Sequence, residues 1–134
     1  MTVIICIDDQ NGMLFNKRRQ SRDVVLVEDI IKTVGDKRLL IDSFSENLFA
    51  AYDNVYIAEN MLDEAINGDF CFVENKDVSA DGGKIEKLII YKWNRLYPSD
   101  FKFDETLLDG FHMESTVDFK GNSHEKITKE VYVR

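Results

Sequence analysis

Four basic side chains lie within the eight residues 16–23, which read NKRRQSRD: Lys17, Arg18, Arg19 and Arg22. The planar guanidinium of arginine binds a carboxylate or a phosphate through two parallel hydrogen bonds. The cluster therefore predicts a site for a small anionic ligand, such as a nucleotide or a polycarboxylate. The alternative is a surface loop whose charges are only solvated.

The basic cluster contrasts with the charge of the whole chain. Asp and Glu number 25 against 17 Lys and Arg, which gives a net charge of -8. A general nucleic-acid coat needs a net basic face, so this balance argues against one. An interaction module that meets RNA or a partner protein through the same loop is the alternative function.

The two histidines, His112 and His124, lie outside any spacing typical of a metal site, so no metal is predicted. His124 follows the turn KGNS, and a histidine there can serve as a general acid or base, for example in a metal-free nuclease. The alternative for His124 is a plain hairpin residue. His112 alternates with Phe111 and Met113 and is interpreted as a structural strand residue.

Length and composition indicate a single globular domain over residues 1–134. The first apolar run, Val3 to Ile7, is too short for a signal sequence or a membrane span. Cys6 and Cys71 each lie in an apolar run, which favours two buried, reduced thiols over a disulfide or a catalytic thiol. We therefore expect a soluble, cytoplasmic protein.

The hydrophobic pattern predicts an α/β domain whose mainly parallel sheet has an antiparallel C-terminal edge hairpin. One helix is expected to begin at Ser21 as its N-cap and to end at Gly35. The strands are predicted at 2–8, 38–42, 54–58, 69–74 and from 87 toward Pro98, short helices at 45–52 and 60–66, and the hairpin around residues 120–123.

This order of elements resembles a shortened dihydrofolate reductase and implies a three-layer fold of that kind. Some short bacterial proteins with a similar order of elements have been labelled ribonuclease Z, but this sequence lacks the two-zinc motif of such a hydrolase. The likeness lies in the segments MTVIICIDDQNGML (1–14), SRDVVLVEDI (21–30), NMLDEAINGDFCFVE (60–74), KIEKLIIYKWN (84–94), YPSDFKF (97–103) and HEKITKEVYVR (124–134).

The cofactor motifs of the resembled family are not present. The Gly-Arg-Lys-Thr turn that binds the phosphates of NADPH corresponds to DSFS, residues 42–45, and the Gly-Gly pair after the central strand corresponds to Glu74-Asn75. No cofactor is therefore predicted, and a non-reductase is favoured over a divergent NADPH-dependent reductase.

The resemblance also places the candidate site residues. Asp23 matches the family's carboxylic acid near the start of the first helix; the alternative is an acid that complements the helix dipole. Projected onto the family's geometry, the basic loop faces His124 and Arg95 across one cleft, with Asp23 at its floor. Asp23 and His124 are the candidate catalytic residues, and whether any reaction is catalysed stays open.

Two further expectations depend on the same topology. The strand containing Cys6 should run beside and parallel to the strand containing Cys71, which would make the two thiols close neighbours. Tyr91, Trp93 and Tyr97 form either a stacking platform for a ligand or part of the core, and strand aromatics favour the core.

Overall fold

A computed structural model describes residues 1–134, and its main feature is a seven-stranded sheet with the strand order β5-β4-β6-β1-β7-β10-β9. Neighbours from β5 to β7 pair in parallel, whereas β10 is antiparallel to β7 and to β9. The strands are β1 (Thr2–Ile7), β4 (Leu39–Ile41), β5 (Val55–Ile57), β6 (Phe70–Phe72), β7 (Lys87–Lys92), β9 (His112–Phe119) and β10 (Ile127–Val133). The predicted fold class, a mainly parallel sheet with an antiparallel C-terminal hairpin, is confirmed.

The central strand β1 is buried on both faces, as its continuous apolar run predicts. One face packs on the helix α1 (Val24–Val34), whose apolar stripe is completely buried at Ile30. The other face is covered by the single-turn helix α2 (Met61–Glu64) and by short 3-10 helices. Three 3-10 helices are present, at Ser43–Leu48, Ser79–Lys84 and Glu105–Gly110. The three layers therefore contain only one helix longer than a turn or two.

A second, three-stranded sheet lies outside the main one, and the sequence analysis missed it. It has the order β3-β2-β8, with β2 at Gly12–Phe15, β3 at Arg18–Arg19 and β8 at Phe101–Lys102. Residues 16 and 17 form the two-residue turn between β2 and β3, and both have positive φ, 51° and 61°. Such a turn is typical of tight β-hairpins. Arg18 and Arg19 therefore form one arm of a hairpin with Lys17 in its turn, whereas Arg22 follows in the segment before α1.

The start of α1 differs from the prediction. Its N-cap is Asp23 and not Ser21, because the Asp23 carboxylate accepts hydrogen bonds from the N–H groups of Val25 and Leu26. Gly35 ends the helix as predicted. The helix expected at 45–52 is the 3-10 helix Ser43–Leu48, and α2 is one turn long.

The two cysteines are unpaired, and they are not close neighbours. Strands β1 and β6 do run side by side, but Cys71 is in register with Val3, three residues before Cys6. The side chains of successive strand residues alternate, so Cys6 and Cys71 lie on opposite faces of the sheet. Burial raises the pKa of Cys71 to about 12, so it is not a reactive thiolate.

No helix of the protein combines the length and the apolar character that crossing a bilayer requires.

Candidate functional site

Asp23 ties the start of α1 to the β9–β10 turn. One oxygen, Oδ1, accepts from the N–H of Asn122 at 2.9 Å, and Oδ2 accepts from the N–H of Ser123 at 2.8 Å. Burial by itself would raise the pKa of Asp23, but hydrogen bonds from Asn122, His124 and Ser123 hold it well below its ordinary value. Asp23 is therefore a buried, ionised carboxylate.

His124 lies directly against this carboxylate and is itself only 3% exposed. Its Nδ1 is 2.9 Å from Oδ2 of Asp23, and its ring stacks on Trp93 with the ring centroids 4.6 Å apart. In the neutral ring, Nδ1 carries the proton and donates a hydrogen bond to Asp23, because an ionised carboxylate can only accept. Nε2 is then the hydrogen-bond acceptor of the ring.

Two hydroxyl groups lie within hydrogen-bond distance of Nε2 of His124. The Ser21 Oγ is 3.1 Å from Nε2 of His124, and the Tyr97 hydroxyl oxygen is 3.0 Å from the same atom. Tyr97 is positioned by Asp8, whose carboxylate accepts from the Tyr97 N–H at 3.1 Å and from the Gly12 N–H at 2.7 Å. The first strand and the loop after β7 are thereby joined at this site.

The basic residues line a cleft beside this group. This space has a volume of about 370 Å³, and we call it the basic cleft. It is lined by Lys17, Arg18, Arg19, Ser21, Arg22 and Phe44. A second cleft, of about 470 Å³, shares Arg18 and Arg19 and extends to Tyr97. The basic cleft has no carboxylate among its lining residues, and its volume falls within the range of small-molecule sites, roughly 300 to 1,000 Å³.

Among the four basic residues of the cleft, three have no carboxylate partner. Lys17, Arg18 and Arg22 are exposed and form no salt bridge, and they are thus available to an anion. Arg95, which the sequence analysis placed across the same cleft, is not among its lining residues. Its guanidinium instead donates to the carbonyl of Ser123 at 3.2 Å.

Arg19 differs from these three because it is already paired. Its guanidinium binds Glu74 through two hydrogen bonds, of 2.5 Å from Nε to Oε1 and 2.7 Å from Nη2 to Oε2. The same Nη2 donates to the carbonyl of Phe44 at 3.2 Å, and the Ser45 hydroxyl donates to Glu74 at 2.6 Å. The hairpin is thereby fastened to the carboxyl ends of β4 and β6.

A second ion pair lies at the same edge of the sheet. Asp42, directly after β4, is only 2% exposed, and its Oδ2 is 2.5 Å from Nζ of Lys76. Asp42 and Glu74 stand where the resemblance places the two glycine-containing turns that receive NADPH. Buried carboxylates at both turns disfavour the phosphates of that cofactor, which are also negatively charged. The residues present do not fit NADPH.

A smaller apolar pocket of about 170 Å³ lies between α1 and the 3-10 helix Ser43–Leu48. Arg22 and Asp23 stand in its wall, and the remaining lining residues are Val24, Val27, Asn47, Leu48, Ala51 and Tyr52. Arg22 borders both this pocket and the basic cleft. A ligand with an anionic group and an apolar group has space for each on either side of Arg22.

The other candidates lie elsewhere. His112 is exposed on the edge strand β9. Tyr91 and Trp93 are buried in the core, whereas Tyr97 is only partly buried and touches His124. No cluster of three or more metal-ligating side chains is present.

Sequence reasoning missed Ser21, Tyr97 and Trp93 as neighbours of His124. Ser21 was interpreted as a helix cap, because a serine before an apolar run usually is one. The available signal was Asp23 two residues later, since aspartate is an equally good N-cap and leaves the serine hydroxyl without that role.

Comparison with known proteins gives a match at the level of fold. No known family model matches the chain, and no curated protein sequence matches it either. Among solved structures, it is similar to a dihydrofolate reductase from Enterococcus faecalis complexed with NADP(H) and RAB-propyl. The TM-score is 0.70 at 11% sequence identity, over 99% of this chain and 95% of that one. The protein has a dihydrofolate reductase-like fold.

Proposed function

We propose that this protein is a non-reductase with a dihydrofolate reductase-like fold, and that it binds a small anionic ligand in the basic cleft. The ligand class is a nucleotide or a polycarboxylate. The observation that carries the proposal is the set of three cations, Lys17, Arg18 and Arg22, which share the cleft without any carboxylate partner.

The electrostatics of the cleft support this proposal. Like charges held close together repel one another, and a bound anion turns that repulsion into attraction. The chain as a whole has a net charge of -8, so the unpaired cations of the basic cleft contrast with the charge of the whole protein. A small anion fits such a patch better than a long polyanion, which would meet acidic surface beyond the cleft.

The buried ion pairs support the non-reductase part of the proposal. Arg19–Glu74 and Asp42–Lys76 close the carboxyl ends of β6 and β4 with the protein's own charges. A dinucleotide bound at these strand ends would bring its phosphates beside two buried carboxylates, which disfavours it. A small anion bound to Lys17, Arg18 and Arg22 in the basic cleft leaves both pairs intact.

Isothermal titration with nucleotides, polycarboxylates and inorganic phosphate tests the proposal. We expect at least one of these anions to bind with a Kd below about 1 mM, which corresponds to about 4 kcal/mol. The combined variant Lys17→Gln, Arg18→Gln, Arg22→Gln should weaken that binding by about tenfold or more, or about 1.4 kcal/mol.

The matched control is Lys32→Gln, Lys37→Gln, Lys120→Gln, which removes the same net charge from exposed lysines outside the cleft. It should bind the anion as the parent protein does. An equal loss of affinity in both triple variants would mean that only the overall charge matters, and would refute the cleft.

The alternatives give different results in the same series. Binding of NADPH, seen as a change in its fluorescence, would favour the divergent reductase. Binding of single-stranded RNA in preference to every small anion would favour the interaction module; three phosphate contacts predict a salt slope of about -2.

A further inference from the structure

Three side chains near the start of α1 form a continuous hydrogen-bonded chain. Asp23 Oδ2 is 2.9 Å from Nδ1 of His124, and Nε2 on the other side of the ring is 3.1 Å from Oγ of Ser21. A carboxylate, an imidazole and a hydroxyl in this order form the arrangement that activates a serine in nucleophilic catalysis.

Ser21 is available for such a role. The N-cap of α1 is Asp23, and His124 is the only hydrogen-bond partner of the Ser21 hydroxyl. Ser21 is also partly exposed and lines the basic cleft, so a ligand bound there has access to the hydroxyl. A nucleophile requires both this access and a base within hydrogen-bond reach.

The orientation of His124 is fixed on two sides. Trp93 stacks on its ring, and Asp23 accepts from Nδ1, which leaves Nε2 as the acceptor. Asp23 is itself held by backbone N–H groups of the β9–β10 turn. The ring therefore cannot rotate away from Ser21 without breaking the stacking on Trp93 and the hydrogen bond to Asp23.

We propose that Ser21 is the nucleophile of an acyl-transfer site, with His124 as its general base and Asp23 as the positioning residue. The substrate is an ester of a carboxylic acid that bears a second, negatively charged group. This substrate class rests on the proposed function, because the basic cleft is what would recognise the charge; the nucleophile itself does not depend on it.

The reaction proceeds in two halves. Ser21 Oγ bonds to the carbonyl carbon while its proton passes to Nε2 of His124; the bond to the alcohol oxygen then breaks, and that oxygen takes the proton. Water next attacks the acyl-serine, gives a proton to Nε2, and the acid leaves as Ser21 regains its proton. One ester and one water become one acid and one alcohol.

Tyr97 and Arg22 can stabilise the charges that develop on His124 and on the carbonyl oxygen during the reaction. After Nε2 has taken a proton, the Tyr97 hydroxyl oxygen, 3.0 Å away, can accept a hydrogen bond from it. Arg22 follows Ser21 directly, and its unpaired guanidinium places positive charge at the cleft, where the carbonyl oxygen becomes negative.

Covalent labelling of the folded protein tests the nucleophile. We expect phenylmethylsulfonyl fluoride to add to Ser21, as located by peptide mapping and mass spectrometry. His124→Gln should slow the labelling by about 100-fold or more, the usual contribution of a general base. Absence of an adduct on Ser21, or equal labelling of the exposed Ser115, would refute the proposal without requiring any variant to fold.

Hydrolysis of two p-nitrophenyl esters tests the substrate class. The parent protein should hydrolyse mono-p-nitrophenyl glutarate, which is anionic, at least about tenfold faster than neutral p-nitrophenyl butyrate, by kcat/KM. Ser21→Ala should abolish hydrolysis of both, whereas the control Ser115→Ala should retain it. Undiminished hydrolysis by a folded Ser21→Ala protein would overturn the proposal.

The two proposals fail in different ways. If anions bind in the calorimeter but Ser21 is not labelled, the nucleophile is refuted and the proposed function stands. If Ser21 is labelled but the variant that lacks the Lys17, Arg18 and Arg22 charges keeps its preference for the anionic ester, the substrate class is refuted and the nucleophile stands. If no anion binds in the calorimeter, the proposed function is refuted.

Discussion

Arg18 and Arg19, the two residues of β3, have different roles because their surroundings differ. Arg18 is exposed and has no carboxylate partner, whereas Arg19 binds the nearly buried Glu74 through two hydrogen bonds. Successive strand residues point to opposite faces, so one arginine faces solvent and the other faces the sheet edge. The first is free to bind a ligand, and the second fastens the hairpin.

Arg19→Gln should therefore destabilise the protein much more than Arg18→Gln. The first change leaves Glu74 buried without its charge partner, which typically costs about 3 to 5 kcal/mol. The second removes an exposed side chain and should change the free energy of unfolding by less than about 0.5 kcal/mol.

Urea unfolding, followed by Trp93 fluorescence, measures the free energy of unfolding of Arg19→Gln and of Arg18→Gln. Equal midpoints for Arg19→Gln and Arg18→Gln would contradict the structural role of the Arg19–Glu74 pair. A double variant, Arg19→Gln with Glu74→Gln, should recover part of the loss, because it removes the unpaired charge.

At the scale of elements, the start of α1 and the β9–β10 turn form one unit. The turn reaches Asp23 because Gly121 has no side chain: a Cβ at this position would lie 2.5 Å from Oδ2 of Asp23 and 2.8 Å from Cδ1 of Ile127. The requirement is steric and comes from close packing.

Gly121→Ala should displace the turn and weaken the hydrogen bonds from Asn122 and Ser123 to Asp23. We expect a loss of about 1 to 3 kcal/mol in the free energy of unfolding, as for buried polar groups that lose partners. Gly83→Ala is the matched control, since a Cβ there meets nothing within 4 Å. A loss of stability in the control as large as that in Gly121→Ala would show that close packing against Asp23 is not the cause.

The sequence predicts the elements of the main sheet well because their patterns are strong. The short apolar run of β1 is rich in β-branched residues, and β9 and β10 alternate with period two, so each pattern indicates a strand. The small sheet β3-β2-β8 escapes prediction because its strands have four residues or fewer and β3 consists of two arginines. Pairing partners far along the chain, and not local preference, make these residues strands.

The candidate site is predicted only in part, for a related reason. The cleft unites Lys17, Arg18, Arg19 and Arg22, which are neighbours in sequence. The pairing of Arg19 with Glu74 spans 55 positions, and that of Ser21 with His124 spans 103. Contacts of this kind depend on the packing of strands, which periodicity does not encode.

At the scale of the whole molecule, three buried aspartates link stability to pH. They are Asp8, Asp23 and Asp69. Hydrogen bonds from Gly12 and Gln10 outweigh burial and lower the pKa of Asp8, and the Arg38 guanidinium lowers that of Asp69. The pKa of Asp23 is lowered as well. The folded protein therefore binds fewer protons than the unfolded chain at acidic pH.

The sign of the pH dependence follows from these shifts. The unfolded pKa of aspartate is about 3.9. Because the folded values lie lower, the stabilisation is complete above about pH 5 and is lost as the pH falls through about 4 and below. Urea unfolding between pH 7 and pH 3 should show this decline.

Asp23→Asn should make the decline shallower, since one of the three linked groups is removed. Asp36→Asn, at an exposed aspartate without a partner, should leave the slope unchanged. A slope that is the same in Asp23→Asn as in the parent protein would contradict the role of this carboxylate.

Asp23 and His124 are 101 positions apart in the sequence, so the ribosome adds them at different times. During synthesis at about 5 to 20 residues per second, roughly 5 to 20 seconds separate the appearance of these two residues. Throughout that interval the N-terminus of α1 lacks the backbone donors and the imidazole that later surround it. The group of Ser21, His124 and Asp23 therefore cannot form until the β9–β10 turn has been synthesised.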